Sequence, residues 1–241
     1  MEYLPVWNLI TPHQEVTRRL VLTPGDPGQL PITKIGGVPW WPDGTPRPHC
    51  SQGHAMSFLW QMLLRDVPQL GPDDPGLLSF HYCADCAGEN YDLTIFTDWH
   101  SMPADNAGLI AEEVIASYTT QYSDRAEAPR IWDLGRLGIH LPDGWYEIEE
   151  FRCLGGDAYL FNEQDYPTFI HIPTSKLGGW PSWVQYDEWP LDAAGEPLVF
   201  AGQIDSVVGD NTIWASGGYA YLFVEAATAH PREAKWVMQS T

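Results

Sequence analysis

Basic residues are scarce in this chain. Lys and Arg together number 12 against 32 Asp and Glu, and the formal net charge is -20. A surface of that sign repels DNA, RNA and anionic membranes, so it argues against partners held through their phosphates. It favours a basic partner (a cationic protein, a peptide or a metal ion), and it serves solubility equally well. No apolar run approaches the roughly 18 residues of a membrane-spanning helix. The opening MEYLPVWNLITPH has neither a basic stretch nor a clean apolar stretch, so no secretion signal is expected and a cytoplasmic location follows. Catalytic signatures are missing as well. There is no G-x-S-x-G, P-loop, dinucleotide glycine fingerprint or H-E-x-x-H. Acidic clusters such as Asp73-Asp74, Glu112-Glu113 and Glu147, Glu149 and Glu150 are read as solvated surface, since any acid and base chosen among so many would be arbitrary.

Cysteine is also sparse. Cys50, Cys83, Cys86 and Cys153 are the full set. Without a secretion signal an even count does not imply disulfides, and the clustering of the first three suggests a metal site. Glycine, proline and tryptophan, by contrast, are plentiful at 22, 21 and 12. That mixture predicts short strands and irregular turns rather than long helices.

The chain carries one pattern twice. Lys34-Ile-Gly36-Gly37-Val-Pro39-Trp-Trp41 and Lys176-Leu-Gly178-Gly179-Trp-Pro181-Ser-Trp183 both read K-apolar-G-G-x-P-x-W. Phe58-Leu-Trp-Gln61 answers Phe200-Ala-Gly-Gln203, and Gln61 follows Lys34 at the same interval as Gln203 follows Lys176. Gly76 and Gly218 then open apolar runs at equal intervals from the two glutamines. Three landmarks in constant register point to an internal repeat. Paired glycines permit positive φ, proline fixes the next bend, and the tryptophan packs over it. On this reading the lysines are exposed beside a structural turn, and the buried glutamines satisfy backbone groups of irregular strands.

Repeat copy one spans 30–100, a connector 101–171 and copy two 172–241, all within a single domain of residues 1–241. A short helix is expected near Gln14–Leu20 and a strand over 91–96. Residues 109–118 fit a strand or a helix equally. Arg130–Glu150 reads as turn-rich, and Tyr159–Phe161 and Thr168–Ile172 as short strands. With no low-complexity linker between copies, the expectation is one compact pseudo-twofold body of α+β class, mainly antiparallel β with short helices.

At TKIGGVPWWP (33–42), MSFLWQ (56–61), GLLSFHYC (76–83), SKLGGWPSWVQ (175–185), PLVFAGQIDS (197–206) and GYAYLFV (218–224), the sequence resembles the YwqG-like family, a bacterial domain of unknown function. It is similar, more distantly, to the programmed cell death protein 2 family. The closing Lys235-Trp-Val-Met-Gln239 also looks like the family's end. The resemblance covers roughly residues 30–86 and 174–239. It implies non-catalytic protein binding. The eukaryotic relatives chaperone a small-subunit ribosomal protein, and some YwqG-like proteins are proposed immunity proteins in toxin neighbourhoods. Many relatives carry a C-x-x-C-G-x-P-M knuckle ahead of each glutamine strand. Here His49 and Gln52 stand at those cysteine positions in copy one, and Leu191 and Ala194 in copy two.

Cys50 and His54 lie close to the displaced knuckle, and Cys83-Ala-Asp-Cys86 is a C-x-x-C, a spacing that lets two thiolates meet one zinc ion. If strands 56–62 and 77–82 pair antiparallel, the end of the second emerges beside the start of the first. The expectation is one structural zinc ion held by Cys50, His54, Cys83 and Cys86, with His49 as the alternative to His54. A reduced C-x-x-C with unrelated neighbours, or a redox disulfide, remain the other readings. His81 is a fifth candidate near the site. Cys153 has no partner motif and reads as a small buried apolar residue. His13, His100, His140, His171 and His230 are scattered and read as ordinary.

Three functions compete. The first is a protein-interaction module that shields a basic partner, chaperone-like or immunity-like. The second is a hydrolase with its site in the cleft between copies. The third is a carbohydrate-binding protein, prompted by the tryptophans. Equivalent placement of Trp41 and Trp183 argues for packing instead.

Overall fold

Apolar and aromatic runs bounded by Gly and Pro become strands in this protein. The computed structural model describes residues 11–25, 28–83, 85–86, 91–97, 118–127, 129, 133, 135–139, 174–208, 211–212, 217–226 and 232–240. The strands are β1 (Glu15–Pro24), β2 (Lys34–Ile35), β3 (Ser57–Leu63), β4 (Leu77–Tyr82), β5 (Tyr91–Phe96), β6 (Tyr118–Glu127), β7 (Lys176–Gly178), β8 (Val199–Asp205), β9 (Val207–Val208), β10 (Asn211–Thr212), β11 (Gly218–Val224) and β12 (Ala234–Ser240). Among the described residues there is no α-helix, only short 3-10 turns such as Leu64–Asp66. The architecture is mainly antiparallel β, and the helical share expected from the sequence is not found there.

Ten strands form one sheet in the order β12-β11-β8-β7-β1-β6-β2-β3-β4-β5, with β9 and β10 in a separate pair. The order has the same grammar from either edge: three strands of six or seven residues, a two- or three-residue strand beginning with Lys34 or Lys176, then one of the two central ten-residue strands. Lys34 pairs with Gln61, and Lys176 pairs with Gln203. At the centre β1 and β6 pair along their whole length, from Glu15 opposite Glu127 to Pro24 opposite Tyr118. The edges also meet. Trp236 of β12 sits 4.7 Å from the ring of Tyr91 on β5 and 5.1 Å from Phe80 on β4.

That curling gives the two halves a shared core. Trp60, Met62, Leu78 and Phe80 from β3 and β4 pack with Ile204, Ala220, Leu222 and Val224 from β8 and β11. Trp60 crosses the gap: a Cβ on Gly202 of β8 would lie 3.1 Å from its Cη2. Burial of a side chain that size contributes on the order of 3 kcal/mol, and Gly202 is the cavity that admits it. The second face of β3 and β4 is covered too, by Trp40 packed with Leu63 and Leu77.

The repeated turns hold this arrangement. Gly36, Gly37, Gly178 and Gly179 all have φ between 62° and 74°, the left-handed region that residues with a Cβ avoid. Inside each turn a glutamine replaces missing ladder partners. Gln61 accepts the Trp40 N–H at 2.7 Å and donates to the Ile32 and Leu30 carbonyls. Gln203 accepts the Ser182 N–H at 2.8 Å and donates to Thr174. A third glutamine, Gln239 on β12, accepts from Val184 and Gln185 and donates to Tyr186.

Three expectations are corrected. Lys34 and Lys176 are fully buried, not exposed. The Lys176 ammonium is neutralised by the buried Glu127 carboxylate, which also accepts the Trp180 N–H at 3.1 Å. Lys34 donates to the carbonyls of Gly28 and Val38. The helix near Gln14–Leu20 is instead β1, because its backbone is taken by β6 on one side and β7 on the other. Asp74, read as surface, is buried against Arg232. The strand over 91–96 is β5. Residues 109–117, Tyr159–Phe161, Thr168–Ile172 and Cys153 lie outside the described residues, as do Glu112, Glu113, Glu147, Glu149, Glu150, His100, His140, His171 and His230.

Candidate metal centre

The hairpin of β3 and β4 creates the site. Ser57 opposes Tyr82, so the chain entering β3 and the chain leaving β4 run side by side. Before β3 lies a tight turn. The Cys50 N–H donates to the His54 carbonyl and the Gly53 N–H to the Cys50 carbonyl, both at 2.9 Å. The His54 N–H points at Cys50 Sγ, 3.3 Å away. Gly53 takes φ 84°, which a residue with a Cβ would resist. The bridge between His49 and Ala55 closes the base of the turn.

Four ligand atoms converge there. Cys50 Sγ lies 3.8 Å from Cys86 Sγ, Cys83 Sγ lies 3.8 Å from His54 Nδ1, and Cys86 Sγ lies 3.5 Å from His54 Nδ1. All four atoms fall within 4.8 Å of one another. A tetrahedron with Zn–S near 2.3 Å and Zn–N near 2.0 Å has edges of about 3.5–3.8 Å. The quartet is therefore geometrically compatible with a metal ion. Cys50 and Cys83 are buried, Cys86 is half-buried and His54 is exposed.

The thiols perturb one another. Burial alone raises the Cys50 thiol, but amide donation from Gln52 and His54 and contacts from Cys83 and Cys86 bring it down to about 7. Cys86 is pushed up to about 12 by its hydrogen bond to Cys83, then by burial and by Cys50. Neighbouring thiolates repel, and a divalent cation is the kind of partner that would let these sulfurs ionise together. Four protein ligands leave no open position for water or substrate, which is the pattern of a structural rather than a catalytic site.

The other sequence candidates stand apart. His49 turns away, its Nδ1 lying 2.7 Å from the Arg47 carbonyl. His81 lies on the outer face of β4, edge-on to Trp41 at 5.0 Å and tilted against Phe58 at 5.5 Å. Its Nδ1 is buried with no hydrogen-bond partner among the described residues. Burial, and then the Arg47 charge, push its pKa down to about 3, so the ring stays neutral. The Oγ of Ser79, two residues earlier on the same face, is likewise buried and unpartnered.

The other half of the sheet has the same turn without the chemistry. Leu191 bridges Pro197 as His49 bridges Ala55. Asp192 N–H donates to Glu196 at 2.7 Å, Gly195 N–H donates to Asp192 at 3.1 Å, and Gly195 has φ 86°. Asp192 Oδ1 accepts the Glu196 and Ala194 amides, both at 2.8 Å. A carboxylate thus stands where Cys50 stands and takes the same i+4 amide. Sequence reasoning missed this substitution, although Asp and Gly at the matching interval signalled it. On the outer face, Tyr221 and Phe223 occupy the places of Ser79 and His81. Tyr221 donates to the Ser182 carbonyl at 2.6 Å, and Phe223 stacks on Trp183.

Fold and site together define a curled antiparallel β protein with a Cys3His cluster at one hairpin end. Residues 33–110, which include the whole quartet, match the family model described as a domain of unknown function, DUF1963. No curated protein matches the chain. Among the described residues no helix is long and apolar enough to cross a membrane.

Proposed function

We propose that this chain is a YwqG-like, internally duplicated protein-binding module without catalytic activity, whose first copy is stapled by one structural zinc ion at Cys50, His54, Cys83 and Cys86. The tetrahedral spacing of the quartet carries the zinc reading. The duplication is supported by the paired Lys–Gln contacts, the matching turns at 50–54 and 192–196 and the equal landmark spacing. A net charge of -20 favours a basic protein as the partner, in a chaperone-like or immunity-like role. A metal with four protein ligands offers no open position to a reacting substrate.

Two measurements test this. Elemental analysis of protein purified without chelator is expected to find one zinc per chain. Less than about a tenth of an equivalent removes the metal from the reading. With free zinc roughly a thousandfold above its Kd, binding contributes about 4 kcal/mol. Chelation then lowers the Tm by roughly 8–16 °C for a chain of this size. Affinity purification from the native source, identified by mass spectrometry, is expected to bring down a basic protein whose binding weakens with salt. Recovery of no partner, or binding indifferent to salt, refutes the partner assignment.

A further inference from the structure

We propose that the metal centre is a sensor of hydroperoxides, in which a two-electron oxidant joins Cys50 to Cys86 as a disulfide and expels the zinc. The inference rests on the zinc reading above. Its warrant is the uneven exposure of the quartet. Cys50 and Cys83 are buried, whereas Cys86 is half-buried and beside the exposed His54. Zinc would hold Cys86 as a thiolate despite its raised pKa, and as the most open of the three sulfurs it is the one an oxidant reaches first. Its contact across the site is Cys50 Sγ at 3.8 Å, against roughly 2.05 Å in a disulfide. Neither residue is in a strand. Cys50 sits in the tight turn before β3, and Cys86 lies beyond the end of β4. Backbone of that kind can close the remaining gap once no metal separates the sulfurs. Cys83, by contrast, directly follows Tyr82, the last paired residue of β4, and is fully buried.

The chemistry balances in two steps. The Cys86 sulfur attacks the peroxide, the O–O bond breaks, and a sulfenic acid forms as alkoxide or hydroxide departs. The Cys50 thiolate then attacks the sulfenic sulfur, the S–O bond breaks and hydroxide leaves. Two sulfurs have lost two electrons, the peroxide has become alcohol or water, and two protons from solvent neutralise the leaving oxygens. Cys83 and His54 alone cannot hold the zinc. The new bond ties the entry of β3 to the exit of β4, so the hairpin end remains clamped after the metal is lost. A bond between Cys83 and Cys86 would link only neighbouring residues and release Cys50. A dithiol reductant with added zinc restores the starting state.

The test uses the zinc-loaded full chain treated with hydrogen peroxide. Zinc release is followed with a chromogenic chelator and disulfides by peptide mass spectrometry. One zinc released per Cys50–Cys86 disulfide is expected. Cys86→His keeps four ligands without the exposed thiol and is expected to release zinc more slowly by roughly tenfold or more. Wild-type protein that carries zinc but keeps it under peroxide, or that forms Cys83–Cys86 instead, overturns the sensor while leaving the zinc staple standing. Equal release rates from wild type and Cys86→His also overturn it. Protein that carries no zinc overturns both readings. If Cys86→His fails to fold, the disulfide map of the wild type decides alone.

Discussion

Asp74 and Arg232 offer a direct test of how the two halves of the sheet are fastened. Asp74 lies in the connection between β3 and β4, and Arg232 between β11 and β12. Arg232 Nη1 donates to both carboxylate oxygens, at 2.8 and 3.0 Å, with the two side chains 1% and 0% exposed. The guanidinium also donates to the Glu225 carbonyl, and Asp74 Oδ1 accepts the Gly76 N–H at 2.8 Å. Asp74→Ala leaves a guanidinium buried without its counter-charge, at a cost of about 3–5 kcal/mol. The orphaned Gly76 amide adds about 1 kcal/mol. The sum, about 4–6 kcal/mol, is a large part of a typical domain's stability. Adding Arg232→Met removes the stranded charge, so the double variant is expected to regain at least about 2 kcal/mol. Urea unfolding at neutral pH, read as midpoint shifts at constant slope, measures both. A loss below about 1 kcal/mol in Asp74→Ala, or a double variant as unstable as the summed singles, refutes the reasoning. If Asp74→Ala does not fold, recovery of folding in the double variant carries the same information.

Two further outcomes follow from named contacts. His81→Phe is expected to stabilise the zinc-loaded protein by about 1–2 kcal/mol in thermal unfolding, because it removes an unpartnered buried nitrogen and installs the residue found at Phe223; a loss instead means that the nitrogen has a partner. Tyr122 donates to Asp66 Oδ2 at 2.6 Å, and burial first, then that bond, raise its phenol above the ordinary value of 10.0. The protonated phenol is thus the form the fold favours, and its contribution is present below pH 10 and lost above it. With the ring 40% exposed, Tyr122→Phe is expected to cost about 1 kcal/mol near pH 8. That gap should shrink as pH passes 10 in matched urea titrations, and a gap that widens there contradicts the assignment.

What was legible in the sequence was local or periodic. Equal spacing from Lys34 to Gln61 and from Lys176 to Gln203 anticipated that each pair faces across a strand ladder. The hairpin argument placed Cys83 and Cys86 beside Cys50 and His54, because an antiparallel return fixes which ends meet. Other features had no local signal. Lys176 finds Glu127 49 positions away, and Asp74 finds Arg232 158 positions away. A charged residue whose partner is that remote looks like surface. β1 is illegible as a strand because, of its ten residues, only Thr17 and Leu20 are buried. Only Leu20 and Leu22 carry its core-facing side, so the ribbon lacks the long apolar alternation that announces a strand. Asp192 carries no cysteine signal at all, yet its carboxylate performs the backbone duty of Cys50.

The palindromic sheet order also dictates a timetable for the nascent chain. β1 is synthesised before every other described strand, and β6 arrives in time to cover one of its edges. The other edge belongs to β7, which is made some 150 residues later, and on it hang β8, β11 and β12. Until the ribosome has passed Gly178, β1 presents an unpaired ladder to whatever is nearby. Arg18 and Arg19, the residues that later oppose Leu177 and Lys176, occupy that waiting edge. Charged side chains beside an open ladder discourage a second chain from adding there.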